Sequence, residues 1–343
     1  MDTNSLLKAL TSKTGISGYE NNIADFALSE LSEYCDNCKI DKMGSVHGFI
    51  KGCGGENRKK IMLEAHMDQV GFLVTKIDDD GCISFTAVGG IDARILPCLR
   101  VKILGDKKTV DGVVIAPNDE SVAQKNAEIK SLKIYTGYTS DELKKLISPG
   151  DAIVFDIDYM ELLGDLRCCG SMDNRSGMTA VFKALEYIKQ NPVEADIYVV
   201  FSTQEEIGLR GAYTSTYHIN PDMAIAVDVT HGTTVDSLND AGVFDLGSGA
   251  IILRGPNVDY KMTKELIDLA ERFNIKHKIE VAGGASGTTA WAIQTVRCGV
   301  PVMLISIPLR YMHTNVEVLD TDDIEQAGKL MGLAAEYFGK EAK

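Results

Sequence analysis

The sequence predicts an α/β sandwich, with a mixed, largely parallel sheet between helices and a small all-β unit inserted in it. Three observations predict it. From residue 164 onward, apolar runs of strand length alternate with helical stripes. Between residues 72 and 163 the texture changes to short β-like runs with turn residues between them. The length, 343 residues, leaves room for about two domains with substantial cores. The expected organisation is a main α/β domain from residues 1–71 and 164–343, and a barrel-like insert over 72–163.

In chain order, residues 19–37 carry Ile23, Phe26, Ala27 and Leu31 at helical spacing. The run KKIMLEAHMD follows as a strand. The insert is built from GFLVTKI, CISFTAV, LRVKIL, TVDGVVIA and DAIVFDI, punctuated by turns such as DDDG. Beyond it, helical stripes occupy 174–190, 260–274 and 321–338, and strands are expected at 196–203, 223–229, 250–254, 276–282 and 300–307. No internal repeat or low-complexity linker interrupts the pattern.

Apolar content of 45% and charged content of 24% are ordinary for a globular protein. The net charge of −14 argues against nucleic acid or an anionic membrane as partner, since both demand positive surface. Small molecules, peptides and metal cations fit better. The N-terminal residues lack a basic segment followed by an apolar one, and no apolar run approaches the roughly 20 residues of a membrane span. A cytoplasmic location is expected. The eight cysteines are scattered without a disulfide framework, and Cys35 and Cys38 form a CxxC that lacks a second pair for a zinc ribbon.

The chemistry gathers at strand ends. The run ADIYVVFST leads into Glu205 and Glu206, and neighbouring residues on a strand point to opposite faces. Both acids serve one site only if the chain turns there, which Gly208 and Gly211 permit. LEAHMD ends another strand with His66 and Asp68, AIAVDVTH ends with Asp228, and MLISIPLRYMHT ends shortly before His313. Asp173 sits in GSMDNRSG at the mouth of a helix. Ligands in open α/β sheets bind beyond the carboxyl ends of strands, so these residues are expected to converge.

Imidazole and carboxylate donors suit zinc, cobalt or manganese. Two histidines and three carboxylates exceed what one open catalytic ion takes, but fit two ions sharing a bridging carboxylate. An extra acid beside a ligand supplies a general base. Asp68 beside His66 is placed to orient that imidazole.

AHMDQVGF, SMDNRSG, TQEEIGLRGA, VDVT, GGASGTTAWAIQ and IPLRYMHT, in this order, resemble the tetrahedral aminopeptidase family. This group of co-catalytic metallopeptidases includes glutamyl and deblocking aminopeptidases, and some members carry an endoglucanase label. The resemblance spans nearly the whole chain. It implies that His66, Asp173 and Asp228 hold one ion, and that Asp173, Glu206 and His313 hold the second, with Asp173 bridging. It makes Glu205 the general base and Asp68 the support of His66. It also implies a strained or cis Asp173–Asn174 bond, and a substrate-pocket wall at Gly284, Ser286 and Gly287. The expected cofactors are two divalent ions, zinc or cobalt, with manganese as the alternative. The expected substrates are short peptides with a free N-terminus, and the expected assembly is a homo-oligomer, from dimer to tetrahedral dodecamer.

Gln69 stands where the family usually has Glu, and Thr289 where it usually has Asp; neither is an assigned ligand. On sequence alone, loop 283–290 also reads as a glycine turn before a helix. It lacks the Lys of a phosphate loop and the second Gly of a nucleophile elbow. His47, His218, His231 and His277 have no ligand-like partners and read as structural or surface residues. Three rivals share parts of the pattern: a deacetylase or carboxypeptidase-like amidohydrolase, an endoglucanase, and a metal-free scaffold. Aromatic content of 7% with one Trp disfavours a sugar cleft, and the histidines have no task in two-carboxylate glycoside hydrolysis.

Overall fold

The computed structural model describes residues 2–115, 128–237 and 242–340. The chain starts with helices α1 (Thr3–Thr11) and α2 (Asn21–Leu31), followed by strands β1 (Asn37–Ile40), β2 (Val46–Ile50) and β3 (Lys60–His66). Strands β4 (Gly71–Ile77), β5 (Ile83–Val88), β6 (Arg100–Leu104), β7 (Thr109–Ile115) and β8 (Lys133–Tyr135) come next. Helix α3 (Ser140–Leu143) separates them from β9 (Ala152–Phe155), β10 (Met160–Glu161) and β11 (Leu166–Cys169). Then come α4 (Met172–Gln190), β12 (Asp196–Ser202), α5 (Arg210–Ile219), β13 (Met223–His231), β14 (Ala250–Arg254) and α6 (Tyr260–Arg272). The chain finishes with β15 (His277–Val281), α7 (Thr289–Gln294), β16 (Val302–Leu309), β17 (Glu317–Asp320) and α8 (Thr321–Gly339).

The main sheet has the order β1-β2-β12-β3-β13-β16-β14-β15. Its centre, β12-β3-β13-β16, is parallel, while β1, β2 and the β14–β16 contact are antiparallel. The central strands read as continuous apolar runs because both faces are covered. One face packs on α1, α2, α4, α6 and α8 through residues such as Leu7, Ile23, Val181, Leu185, Leu266 and Leu330. The other packs on α5 and α7 through Ala212, Ile219, Ala292 and Ile293. A mixed α/β sandwich is what the alternating pattern predicts.

Strands β4-β5-β8-β7-β6-β9 close into a barrel with its own core, centred on Phe72, Ile83, Val101, Ile103 and Ile153. Residues 116–127 of the expected insert lie outside the described residues, as do 238–241 and 341–343 of the expected main domain. A third, small sheet, β10-β11-β17, joins the chain leaving the barrel to the segment before α8.

Two local expectations need correction. The helical stripe of residues 19–37 forms a helix only over 21–31, because the chain turns after Leu31 into edge strand β1. Strand β3 ends at His66 rather than continuing through Asp68. Asp68 reaches its neighbour from the loop beyond, so strand alternation does not explain their proximity.

Candidate metal centre and active site

Strands β3 and β12 end side by side at one edge of the sheet, whereas β13 continues to His231, so Asp228 lies within its strand rather than ending it as the sequence suggests. Ser202 of β12 lies beside His66 of β3, and Asp228 of β13 beside Ser306 of β16. Helix α4 enters that edge with Ser171 left-handed (φ 58°) and with Asp173 and Asn174 outside helical geometry. The Asp173–Asn174 peptide is cis. Asn174 fixes this entry: its amide donates to the Val227 carbonyl at 2.8 Å and its oxygen accepts from Gly177 N at 3.0 Å.

After β12 the chain turns as the acid pair requires. Gln204 and Leu209 are left-handed, and Gly208 takes φ +122°, a conformation L side chains rarely adopt. Gly211 serves a different purpose: a Cβ there would lie 2.5 Å from the Thr203 backbone. Glu20 holds the start of the turn, accepting from the Thr203 hydroxyl and from Gln204 N at 3.1 Å.

His66 Nε2 lies 3.1 Å from Asp173 Oδ1 and 3.5 Å from Asp228 Oδ1. His313 Nε2 lies 3.3 Å from Asp173 Oδ2 and 3.4 Å from Glu206 Oε2. Three groups of donor atoms fall within 4.8 Å of one another: His66, Asp173 and Asp228; Asp173, Glu206 and His313; His66, Glu205 and Glu206. Donors bound about 2.0–2.2 Å from a tetrahedral ion lie about 3.3–3.6 Å apart, so these groups could hold an ion with little rearrangement. Glu206 Oε1 is buried without a hydrogen-bond partner, which an ion would satisfy.

Outer groups orient both imidazoles. His66 Nδ1 donates to the Asp68 carbonyl oxygen at 3.2 Å and lies 3.6 Å from Asp68 Oδ1, leaving Nε2 facing the carboxylates. Asp68 also accepts from Ser17 Oγ (2.6 Å) and from the backbone N–H groups of Glu205 (2.9 Å) and Glu206 (3.2 Å). Thus one fully buried residue holds the histidine through its backbone carbonyl and the acid turn through its carboxylate. His313 Nδ1 donates to the Gly90 carbonyl at 2.7 Å, so the segment after barrel strand β5 sets the tautomer of His313.

Crowded charge governs the electrostatics. Burial, reinforced by repulsion from neighbouring acids against attraction from His66, pushes Glu205 up to about 9. Burial and the Asp173 charge push Glu206 up to about 8. Asp228 is raised by burial. Asp173 is held low despite its burial because His313 and His66 hydrogen-bond to it. Burial opposes the charging of His313, but Asp173 and Glu206 carry it up to about 10. Four carboxylates and two imidazoles enclosed together are costly without balancing cations, and divalent ions would supply that balance.

The remaining expected residues lie elsewhere. Ser286 bonds to Asn257 through its backbone N (3.2 Å) and its hydroxyl, and Gly284 and Gly287 face open space. None of the three lines the cavity of about 110 Å³ that opens on Asp173, Glu206 and His313. Thr289 donates to the carboxylate of Glu64, which also accepts from Ser202 Oγ at 2.6 Å, tying α7 to the centre of the sheet. Gln69 Oε1 is 3.4 Å from Arg175 Nη2. That guanidinium is fully buried, and its Nε has no hydrogen-bond partner. His47, His218, His231 and His277 stand outside the cluster; His47, for example, bonds Asp41 and Ser215. All eight cysteines are free, and burial raises both Cys35 and Cys38.

Sequence reasoning missed Ser17, Glu20, Gly90 and Glu317. Glu317 is buried and accepts from the backbone N–H groups of Met172, Asp173 and His313. Its position four residues after His313 was the only local signal.

A parallel-sheet sandwich with this cluster of imidazoles and carboxylates at one edge, and a barrel inserted beside it, is the arrangement of a peptide hydrolase with a candidate metal centre. The profile of the M42 glutamyl aminopeptidase family matches residues 44–330, and the chain belongs to that family. It is an aminopeptidase, a hydrolase acting on peptides. A lysyl aminopeptidase of Pyrococcus furiosus is 32% identical, covering 95% of this chain and 94% of its own. An aminopeptidase structure from Desulfurococcus kamchatkensis superposes with a TM-score of 0.91 at 34% identity, covering 98% of this chain and 94% of that one. The TET1 peptidase of Pyrococcus horikoshii, which assembles into a tetrahedron or a large octahedral shell, gives 0.84 at 30% identity, covering 97% and 99%. Among the described residues no helix is long and apolar enough to cross a membrane.

Proposed function

We propose that this enzyme removes N-terminal residues from short, unblocked peptides at a two-ion centre, with Glu205 as general base. The observation that carries the reading is the pair of donor groups sharing Asp173, with Glu205 beside them. His66, Asp173 and Asp228 would hold one divalent ion and Asp173, Glu206 and His313 the other, zinc or cobalt, with manganese as the alternative. Such ions, when bound, polarise the scissile carbonyl and lower the pKa of water.

The protein's own residues do the rest. Glu205, 8% exposed and without a salt bridge to Lys or Arg among the described residues, would be kept ionised by cations beside it, and takes the proton of the attacking water and delivers it to the departing amine. Asp68 keeps His66 and the acid turn in register. Gly284, Ser286 and Gly287 do not line the cavity at Asp173, Glu206 and His313; their loop, with open space beside its glycines, would wall a part of the substrate pocket beyond it. The insert over 72–163 serves oligomerisation and substrate access as well as holding His313 through Gly90. The assembly is a homo-oligomer, supported by the shell formed by the TET1 relative. Eight free thiols fit a reducing cytoplasm.

The test is a mass-spectrometric time course on an unblocked peptide and its N-acetylated twin, using protein reloaded with cobalt or zinc after chelation. Stepwise shortening of the free peptide alone is expected. Cleavage of both would point to a different amide substrate, and no cleavage under any metal would reject the reading.

A further inference from the structure

We infer that Glu317 is the positioning residue of the second donor group, bracing Asp173 and His313 so that an ion can sit between them; this rests on the two-ion reading above. One Glu317 oxygen, Oε2, accepts from Met172 N at 2.7 Å and Asp173 N at 3.2 Å, while Oε1 accepts from His313 N at 2.9 Å. A single carboxylate therefore ties together two segments more than a hundred residues apart in sequence.

Both segments need a brace. Ser171 is left-handed (φ 58°) just before Met172, and Tyr311 and His313 are left-handed at φ 59° and 61°. Non-glycine residues hold such conformations only where their surroundings over-determine them. Glu317 receives three backbone hydrogen bonds, two on one oxygen and one on the other, which fixes both segments against a single side chain. It does so from a rigid place. It opens β17, pairs with Cys169 at the end of β11, and is 1% exposed. The two ligand-bearing loops thus spring from neighbouring strands of one small sheet, with the carboxylate between them.

The two donor groups differ in this dependence. His66 ends β3 and Asp228 lies within β13, both central strands, and Asp68 orients His66 independently. Of the first group, only the shared Asp173 touches Glu317. Of the second, Asp173 and His313 both do. Loss of Glu317 is therefore expected to weaken the second ion selectively.

The experiment titrates cobalt into metal-stripped protein, reading visible absorption and bound metal at buffered free-ion concentrations. Circular dichroism verifies folding. Wild type should take up two ions per chain. Glu317→Gln, which offers one oxygen instead of two, should bind one ion with affinity within about fivefold of wild type and the other ten- to a hundredfold more weakly. Glu317→Asp, which keeps the carboxyl group but loses reach, should do the same and serves if the Gln variant does not fold. In an Asp228→Asn background, which impairs the first group, Glu317→Gln should weaken the remaining ion ten- to a hundredfold. In a His313→Ala background its effect should stay within about fivefold. Two ions bound by the Glu317 variants at wild-type affinity, or equal weakening of both, would overturn the inference and leave the two-ion reading standing. A wild type that takes up fewer than two ions would overturn both.

Discussion

Glu205 and Glu206 are sequence neighbours with different partners, and the proposed division of work between them rests on that difference. Glu206 lies 3.4 Å from His313 and keeps one buried oxygen unpartnered, as a ligand without its ion would. Glu205 has no such histidine partner within salt-bridge distance among the described residues and is held high by burial and surrounding acids. Glu205→Gln should lower kcat by about 10²–10⁴-fold, the usual contribution of a positioned base, while bound metal stays at the wild-type level. Turnover near wild type would remove Glu205 from the proton path. These acids were legible in the sequence because they end an apolar run. Asp68 was legible as the support of His66, but its hold on the acid turn, and the parts of Glu20 and Ser17, were not, because they act through contacts between distant segments.

At the scale of elements, the turn after β12 converts a strand end into a site. Gly211→Ala would drive a Cβ into the Thr203 backbone, which must shift to make room. The expected result is a loss of about 1–3 kcal/mol of stability, typical of overpacking, with at least tenfold lower kcat/KM. A variant with wild-type melting and turnover would show that the turn tolerates displacement.

Helix α8 makes a separate prediction. Asp323 in its first turn is fully buried and accepts from Gly247 N (2.7 Å) and Gly249 N (2.5 Å). Burial pushes its carboxyl up to about 7 from 3.8, against those two bonds. An acid raised on folding binds its proton more tightly in the native state. It therefore subtracts stability as pH climbs from about 4 to about 7. Asp323→Asn should remove that decline, seen as a difference in the slope of Tm against pH between the two proteins. Parallel slopes would contradict it. Helices α1 and α5 escaped the sequence pattern for physical reasons. The first is only nine residues long, and the second, RGAYTSTYHI, is rich in poor helix formers and is bounded by left-handed Leu209 and Asn220.

For the whole molecule, the inserted barrel does two things at once. It supplies the Gly90 carbonyl that orients His313, and it presents a surface outside the main sandwich. Light scattering on the 37.2 kDa chain should report a dimer or a larger closed assembly. A monomer at micromolar concentration would exclude the insert as an assembly module. The sequence by itself determined the alternation of strands and helices, because apolar period and turn residues are local properties. It also determined which side chains stand at the strand ends, and hence the chemistry on offer. Only the tertiary structure decided how those side chains face one another. The pairing of His66 with Asp173 spans 107 residues, and that of Gly90 with His313 spans 223. Such contacts are fixed by sheet order, helix docking and buried carboxylates such as Glu317, whose partners no local pattern announces.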